Sequence, residues 1–244
     1  MKQVTWTITE NIPLTPDTYR LRLAGDTEAI TAPGQFVNLK LSGFYLRRPI
    51  SVCDWEPGAA TLIYKVLGHG TAAMTRLPAG TELDVLTGLG NGYDTSLAGE
   101  RPLLVGGGVG IPPLYGLARR LTAEHRQVTA VLGFNTAAEV FYADEFRALG
   151  AEVVLATADG SAGVRGFVTD ALPASYSYVY TCGPEPMLRA VFRSIKTGGQ
   201  FSFEERMGCG FGACMGCSCK TVTGWKRICR EGPVLEKEEI LWEK

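Results

Sequence analysis

The 244-residue sequence contains no run of about eighteen consecutive apolar residues, the length that a membrane-crossing helix needs, so no membrane span is expected. It also lacks a charge excess. The 24 Lys and Arg stand against 25 Asp and Glu for a net charge of −1, which provides no basic field for nucleic acid or another anionic surface. Residues 1–6 enter a strand-like alternation without the apolar stretch of an export leader. The cysteines number seven, an odd count, and five of them lie between Cys209 and Cys229. That crowding opposes a secreted disulfide framework and leads us to expect a cytoplasmic protein. No Gly-Lys-Ser/Thr is present, so there is no P-loop. Only one C-x2-C pair occurs, where a zinc site favours two.

The cysteine crowd is the most informative stretch that is present. Cys209, Cys214 and Cys217 are spaced C-x4-C-x2-C, the ligand run of a plant-type 2Fe–2S centre, which needs four thiolates. Gly208, Gly210, Gly212 and Gly216 are interleaved with them, as a backbone wrapped tightly around a cluster requires. Cys219 and Cys229 both remain for the fourth place. Cys219 is only two residues from Cys217, and one tetrahedral iron does not easily take both from extended backbone.

Residues 1–97 read as short strands at 4–8, 19–23, 35–41 and 61–66, punctuated by Pro13, Pro16, Pro33-Gly34, Pro57-Gly58 and Pro78. This is the spacing of a small antiparallel barrel. Within it, Arg47 or Arg48 beside Pro49, Ile50 and Ser51 could grip a phosphate or a flavin edge, or could simply form a solvated strand edge. Lys65 leads into Gly68-His69-Gly70-Thr71, which is either an amide nest for a pyrophosphate or a tight turn.

The pattern changes at Arg101-Pro102. An apolar strand at 103–105 runs into Gly106-Gly107-Gly108-Val109-Gly110, and Pro112 and Pro113 then open a helix over 114–122. Strand, glycine loop and helix in that order form a nucleotide-binding unit, although Ile111 stands where a third glycine would complete the fingerprint. Further strands are expected at 128–132, 152–156 and 178–181, with helices at 143–149, 168–172 and 186–194. This alternation implies a Rossmann-like parallel sheet covered on both faces, with ligands at its carboxyl ends. Asp159 at one such end either meets an adenosine ribose, favouring NAD over NADP, or is an ordinary turn residue before Gly160. Cys182-Gly183-Pro184 lies at another. No histidine is near Cys182 in sequence to activate it, so the choice there is a nicotinamide contact or a small buried thiol.

Taken together, RRPIS (residues 47–51), GHGT (68–71), GLGNGY (88–93), GGGVGIPPL (106–114), FYADEF (141–146), DGSAGVRGFVTD (159–170), CGPEPML (182–188) and ERMGCGFGACMGCSCKT (205–221) with CREGPV (229–234) span the chain. In this order they resemble the ferredoxin–NADP reductase superfamily and, within it, the electron-transfer subunits of NAD-linked, B-type dihydroorotate dehydrogenases. The resemblance implies three parts: a six-stranded FAD-binding barrel at 1–97, an NAD-binding α/β domain at 98–199 and a small iron–sulfur arm at 200–244. It implies FAD against Arg47, Pro49, Ile50 and Ser51, with Lys65, Gly68, Gly70 and Thr71 toward its pyrophosphate. NAD would lie near Gly107, Gly108, Gly110 and Asp159, with its nicotinamide near Cys182, Gly183 and Pro184. Cys229 is selected as the fourth ligand beside Cys209, Cys214 and Cys217, leaving Cys219 to packing.

The resemblance further implies a partner, an FMN-containing catalytic subunit that oxidises dihydroorotate, in a heterotetramer of two of each chain. Two other readings compete. One is the reductase subunit of a hydrogenase, sulfite reductase or transhydrogenase, which a preference for NADPH would favour. The other is a non-enzymatic redox sensor, which purification without FAD would favour. Phe211, Met215 and the stretch 225–242 are candidates for the partner surface.

Overall fold

The computed structural model describes residues 1–242. The first strands are β1 (Lys2–Pro13), β2 (Thr18–Ala24), β3 (Phe36–Leu39), β4 (Arg48–Glu56), β5 (Ala59–Lys65) and β6 (Glu82–Leu89), with helix α1 (His69–Met74) between the last two. They close into an antiparallel barrel in the order β1-β2-β5-β4-β3-β6. Alternation decides the inside: Trp6 and Ile8, Leu21 and Leu23, and Val37 and Leu39 are each spaced two apart and buried in one apolar core. Strands β4 and β6 are the two for which residues 48–56 and 82–89 gave no individual expectation. Both break the alternation, β4 with Pro49 and a register shift between Val52 and Asp54, and β6 with Gly88.

The second body begins with β7 (Leu103–Gly107) and α2 (Pro112–Ala123), followed by β8 (Thr129–Phe134), α3 (Ala143–Ala148), β9 (Glu152–Thr157), β10 (Val164–Arg165), β11 (Val179–Cys182), α4 (Glu185–Ser194) and β12 (Gly199–Ser202). All of these strands pair in parallel, in the order β10-β9-β8-β7-β11-β12. Both faces are covered. Leu104, Ala130 and Leu132 pack on the side of α2 and α3, whereas Leu103, Val105 and Val131 pack on the side of α4. The helix expected at 168–172 is a single 3-10 turn, Val168–Ala171.

The remaining residues form the hairpin β13 (Ser218–Thr221) and β14 (Gly224–Arg227) and then β15 (Val234–Glu236). Strand β15 adds antiparallel to β12, so the chain leaves the sheet at β12, makes the cysteine-rich excursion and returns to the same edge. Trp242 packs edge-on against Phe192 at 5.5 Å between ring centres and beneath Arg189, which accounts for it as packing rather than exposed surface. No helix among the described residues is long and apolar enough to cross a membrane.

Candidate functional site: a cleft joined to a cysteine arm

The three parts meet at a cleft of about 250 Å³. The barrel contributes Pro49, Ile50 and Ser51 from β4, Lys65 from the end of β5 and Thr71 from α1. The sheet contributes Val109 and Cys182 from the carboxyl ends of β7 and β11. The stem of the arm closes it with Ser202, Phe203, Glu204, Met207 and Pro233. Glu204, an exposed residue at the rim, also borders a neighbouring cavity of about 150 Å³, and the partial loss of water on its walled side shifts its carboxyl above the usual range.

The structure sorts the two arginines. The Arg47 guanidinium is committed to Asp84, donating at 2.9 Å to its carboxylate and at 2.9 Å to its main-chain oxygen, and it is not in the cleft wall. Arg48 lies across Gly70 instead: a Cβ at Gly70 would fall 2.0 Å from Arg48 Nε and would push the guanidinium aside. The expected amide nest at Gly68 is taken by the chain itself, because Thr71 Oγ1 accepts the N–H of Leu67 at 3.0 Å and of Gly68 at 3.3 Å. Arg48, the second of the two arginines the sequence offered, is thus the cation beside Gly70. Lys65 pairs with Asp17 at 3.0 Å and Glu139 at 3.7 Å, tying the barrel to the sheet domain at the rim of the cleft.

On the sheet side the glycine loop and the Cys182-Gly183-Pro184 loop interlock. A Cβ on Gly110 would lie 2.2 Å from the Cys182 carbonyl oxygen, and one on Gly107 would lie 2.5 Å from Met187 Sδ and 3.3 Å from Pro184. Gly107, Gly110, Cys182, Gly183 and Pro184 are therefore brought together, with Gly108 in the turn between. Met187, which the sequence reading passed over, fills the space between the loops. Cys182 is buried beside Tyr93 and Ser202, and burial, followed by the charge of Glu204, pushes its thiol up to about 12. A thiol held neutral in this way is no nucleophile. Asp159 lies apart on the surface beyond β9, its carboxylate accepting the Ser161 N–H at 2.9 Å and hydroxyl at 2.6 Å in a turn.

The cysteine arm is arranged differently. The N–H groups of Ala213 and Cys214 donate to Cys209 Sγ at 3.3 and 3.4 Å, and the Cys229 N–H donates to Cys217 Sγ at 3.4 Å. Burial alone would raise the Cys209 thiol; the backbone amides around it outweigh that and bring it down to about 6. Cys229 is pushed up to about 12 by burial and then by the Cys217 thiol beside it. Among the described residues no three Cys, His, Asp or Glu side chains gather closely enough to hold a single ion. The thiols instead form two pairs, 209 with 214 and 217 with 229. Two thiolates for each of two irons, with amides aimed at sulfur, is the donor set of a 2Fe–2S cluster. Cys219 is half-buried in the apolar cluster under β13, outside both pairs. Arg227 anchors the loop, donating to the Gly212 carbonyl at 2.8 Å and pairing with Glu231.

Residues 204–241 match the family described as the iron–sulfur cluster binding domain of dihydroorotate dehydrogenase B, and residues 104–193 match the oxidoreductase NAD-binding domain. The electron transfer subunit of dihydroorotate dehydrogenase B (NAD(+)) from Geobacillus sp. (strain WCH70) is 43% identical, covering 99% of each chain. The chain belongs to this family of electron-transfer subunits. The Fusobacterium nucleatum member is 42% identical over 98% of this chain and 99% of its own. Among solved structures, an NADH-dependent reduced ferredoxin–NADP oxidoreductase superposes with a TM-score of 0.88 at 29% identity, over 97% of this chain and 90% of that one. An Amycolatopsis cytochrome P450 reductase superposes at 0.71 with 25% identity, over 80% of this chain and 66% of that one. The reductase fold is common to both structures; the family's iron–sulfur match falls on the arm.

Proposed function

We propose that the chain carries electrons between a dihydroorotate-oxidising, FMN-containing subunit and NAD, through a 2Fe–2S cluster on the arm and FAD in the cleft. The observation that carries this reading is the cleft itself, where barrel, nucleotide sheet and stem of the cysteine arm all contribute walls. A flat ring can lie along Pro49, Ile50 and Ser51, with the diphosphate toward Arg48, Gly70 and Thr71. The Arg48 guanidinium supplies the charge there, while Arg47 holds the barrel through Asp84. The interlocked loops of Gly107–Gly110 and Cys182–Pro184 would receive NAD, and the neutral Cys182 thiol would lie under its nicotinamide. Asp159, with its turn at the end of β9, would face the adenosine ribose and disfavour a 2′-phosphate. Cys209, Cys214, Cys217 and Cys229 would hold the cluster.

When bound, FAD exchanges a hydride with the nicotinamide and single electrons with the cluster, which is why it must stand between the two. The protein's own part is to position and to exclude water: Phe203, Met207 and Pro233 cap the cleft, and Lys65 with Asp17 and Glu139 fixes the angle between barrel and sheet. We place the working units at residues 1–97, 98–199 and 200–244, the complex as two of each subunit and the location as cytoplasmic. The exposed Phe211 and Met215 beside the thiols suit the partner surface. The test is direct. The purified, FAD-loaded subunit should oxidise NADH with an artificial acceptor and leave dihydroorotate untouched until the partner is added. FAD-loaded protein without NADH oxidation, or a co-purifying hydrogenase or sulfite reductase subunit, overturns the reading.

A further inference from the structure

Between its two attachments to the sheet, the cysteine arm rests on the barrel side through two asparagine side chains. Asn91, in the connection after β6, holds the far end. It accepts the Val234 N–H at 3.0 Å and donates to the carbonyls of Val234 at 2.7 Å and Glu231 at 3.3 Å, just beyond Cys229. Asn38, in β3, holds the near end. Its Nδ2 donates to the carbonyl of Cys209 at 3.2 Å, across 171 residues of sequence.

Asn38 is not placed there by packing alone. It is 1% exposed, and its Oδ1 is buried without a partner among the described residues, so the carboxamide's polar contact is the one to Cys209. Gly210 follows at φ +81, and a Cβ there would lie 2.3 Å from Asn38 Nδ2. The loop backbone is therefore pressed onto the amide. Opposite Asn38 in the ladder is Pro49, whose side chain lines the cleft, and the Asn38 carbonyl accepts from Arg47 at 3.3 Å. Phe36, two residues along β3 and so on the same face, lines the cleft and shares an apolar cluster with Cys217 and Cys229. One four-residue strand thus touches the cleft and, through Asn38, the first cysteine of the arm.

We propose that Asn38 is the positioning residue that sets the cluster loop against the cleft, and that its hydrogen bond to Cys209 governs how readily single electrons pass between them. The inference rests on the reading above, with FAD in the cleft and the cluster on the four thiols. In the step it influences, one electron leaves one group and enters the other; no bond forms or breaks, and Asn38 gives up no proton.

The experiment uses the anaerobically purified, cofactor-containing subunit as wild type, Asn38→Ala and Asn38→Asp. The second variant is close in size to asparagine but, when ionised, has no donor. Iron and FAD contents are measured first. NADH is then mixed in, with flavin bleaching followed optically and the reduced cluster by freeze-quenched electron paramagnetic resonance. Hydrogen exchange of residues 208–213 is read separately. Flavin should bleach at the wild-type rate in both variants. Cluster reduction should slow by about tenfold or more, as expected when a positioned group loosens by more than about an ångström. Exchange at 208–213 should rise, and the Asn38→Asp resonance should shift. Wild-type cluster reduction and unchanged exchange in either loaded variant overturn the role of Asn38. Wild-type protein that holds no FAD or no cluster overturns the functional reading instead, and this proposal with it.

Discussion

Cys182 in the cleft and Cys209 in the arm are the same side chain in two opposite settings. Cys182 ends a strand of the parallel sheet, buried among Tyr93, Ser202 and the Gly110 loop, and its environment favours the neutral thiol. Cys209 sits in a loop whose amides are spent on its sulfur, and its environment favours the thiolate. Burial acts on both in the same direction; what separates them is whether backbone N–H groups are free to point at sulfur. In the sheet those groups are consumed by the ladder. In the loop, glycines release them. A cysteine's position in the backbone hydrogen-bonding pattern therefore indicates whether it serves as surface or as ligand.

The comparison can be broken in several ways. The largest effect is expected from Cys229→Ser, which should abolish the 2Fe–2S absorbance and leave FAD bound, whereas Cys219→Ser should keep both; the reverse result would mean that the second pair is 217 with 219. Next is Gly110→Ala, which drives a methyl group into the Cys182 carbonyl. It should cost about 1–3 kcal/mol, read as a fall in thermal midpoint of roughly 2–4 °C per kcal/mol, and should raise the KM for NADH. The cluster spectrum, made by the other region, should not change.

A smaller effect, visible without any mutation, concerns thiol labelling of the cluster-free chain. A thiol raised to about 12 has only about one part in ten thousand as thiolate at pH 8. Cys182 should therefore resist iodoacetamide from pH 6 to 9 while Cys209 labels first, as peptide mass mapping would report. Rapid labelling of Cys182 below pH 8 would remove the contrast. The smallest effect is expected from Asp159→Ser, which should narrow the preference for NADH over NADPH by about fivefold, the worth of one exposed hydrogen bond.

What could be read from the sequence followed the range of the interactions involved. The run Cys209, Cys214 and Cys217 was legible as an iron–sulfur motif because its spacing is local, whereas the choice of Cys229 over Cys219 came from the resemblance; the sheet was legible because strand, glycine loop and proline-started helix follow one another at 103–123. Gly70 was legible as a special residue, but its reason was not. It makes room for Arg48, and nothing between residues 48 and 70 in sequence announces that approach. The sequence left Arg47 and Arg48 as alternatives because what separates them is the pairing of Arg47 with Asp84, far along on β6. Asn38, Asn91 and Met187 carried no signal of their own. Each acts on a partner brought near only by folding, and in isolation an asparagine in a strand or a methionine in a helix reads as ordinary. The return of β15 to the sheet edge was likewise unmarked, since three residues are too few to show a period.

The account's central claim is that electrons cross between the arm and the cleft within this one chain. The most direct measurement is dihydroorotate-dependent reduction of NAD by the reconstituted pair, the FMN-containing partner with either wild-type subunit or FAD-loaded Cys229→Ser. The account predicts NADH formation with wild type and none with the variant, although the variant still oxidises NADH with an artificial acceptor. NADH formed from dihydroorotate at the wild-type rate by the variant would contradict it.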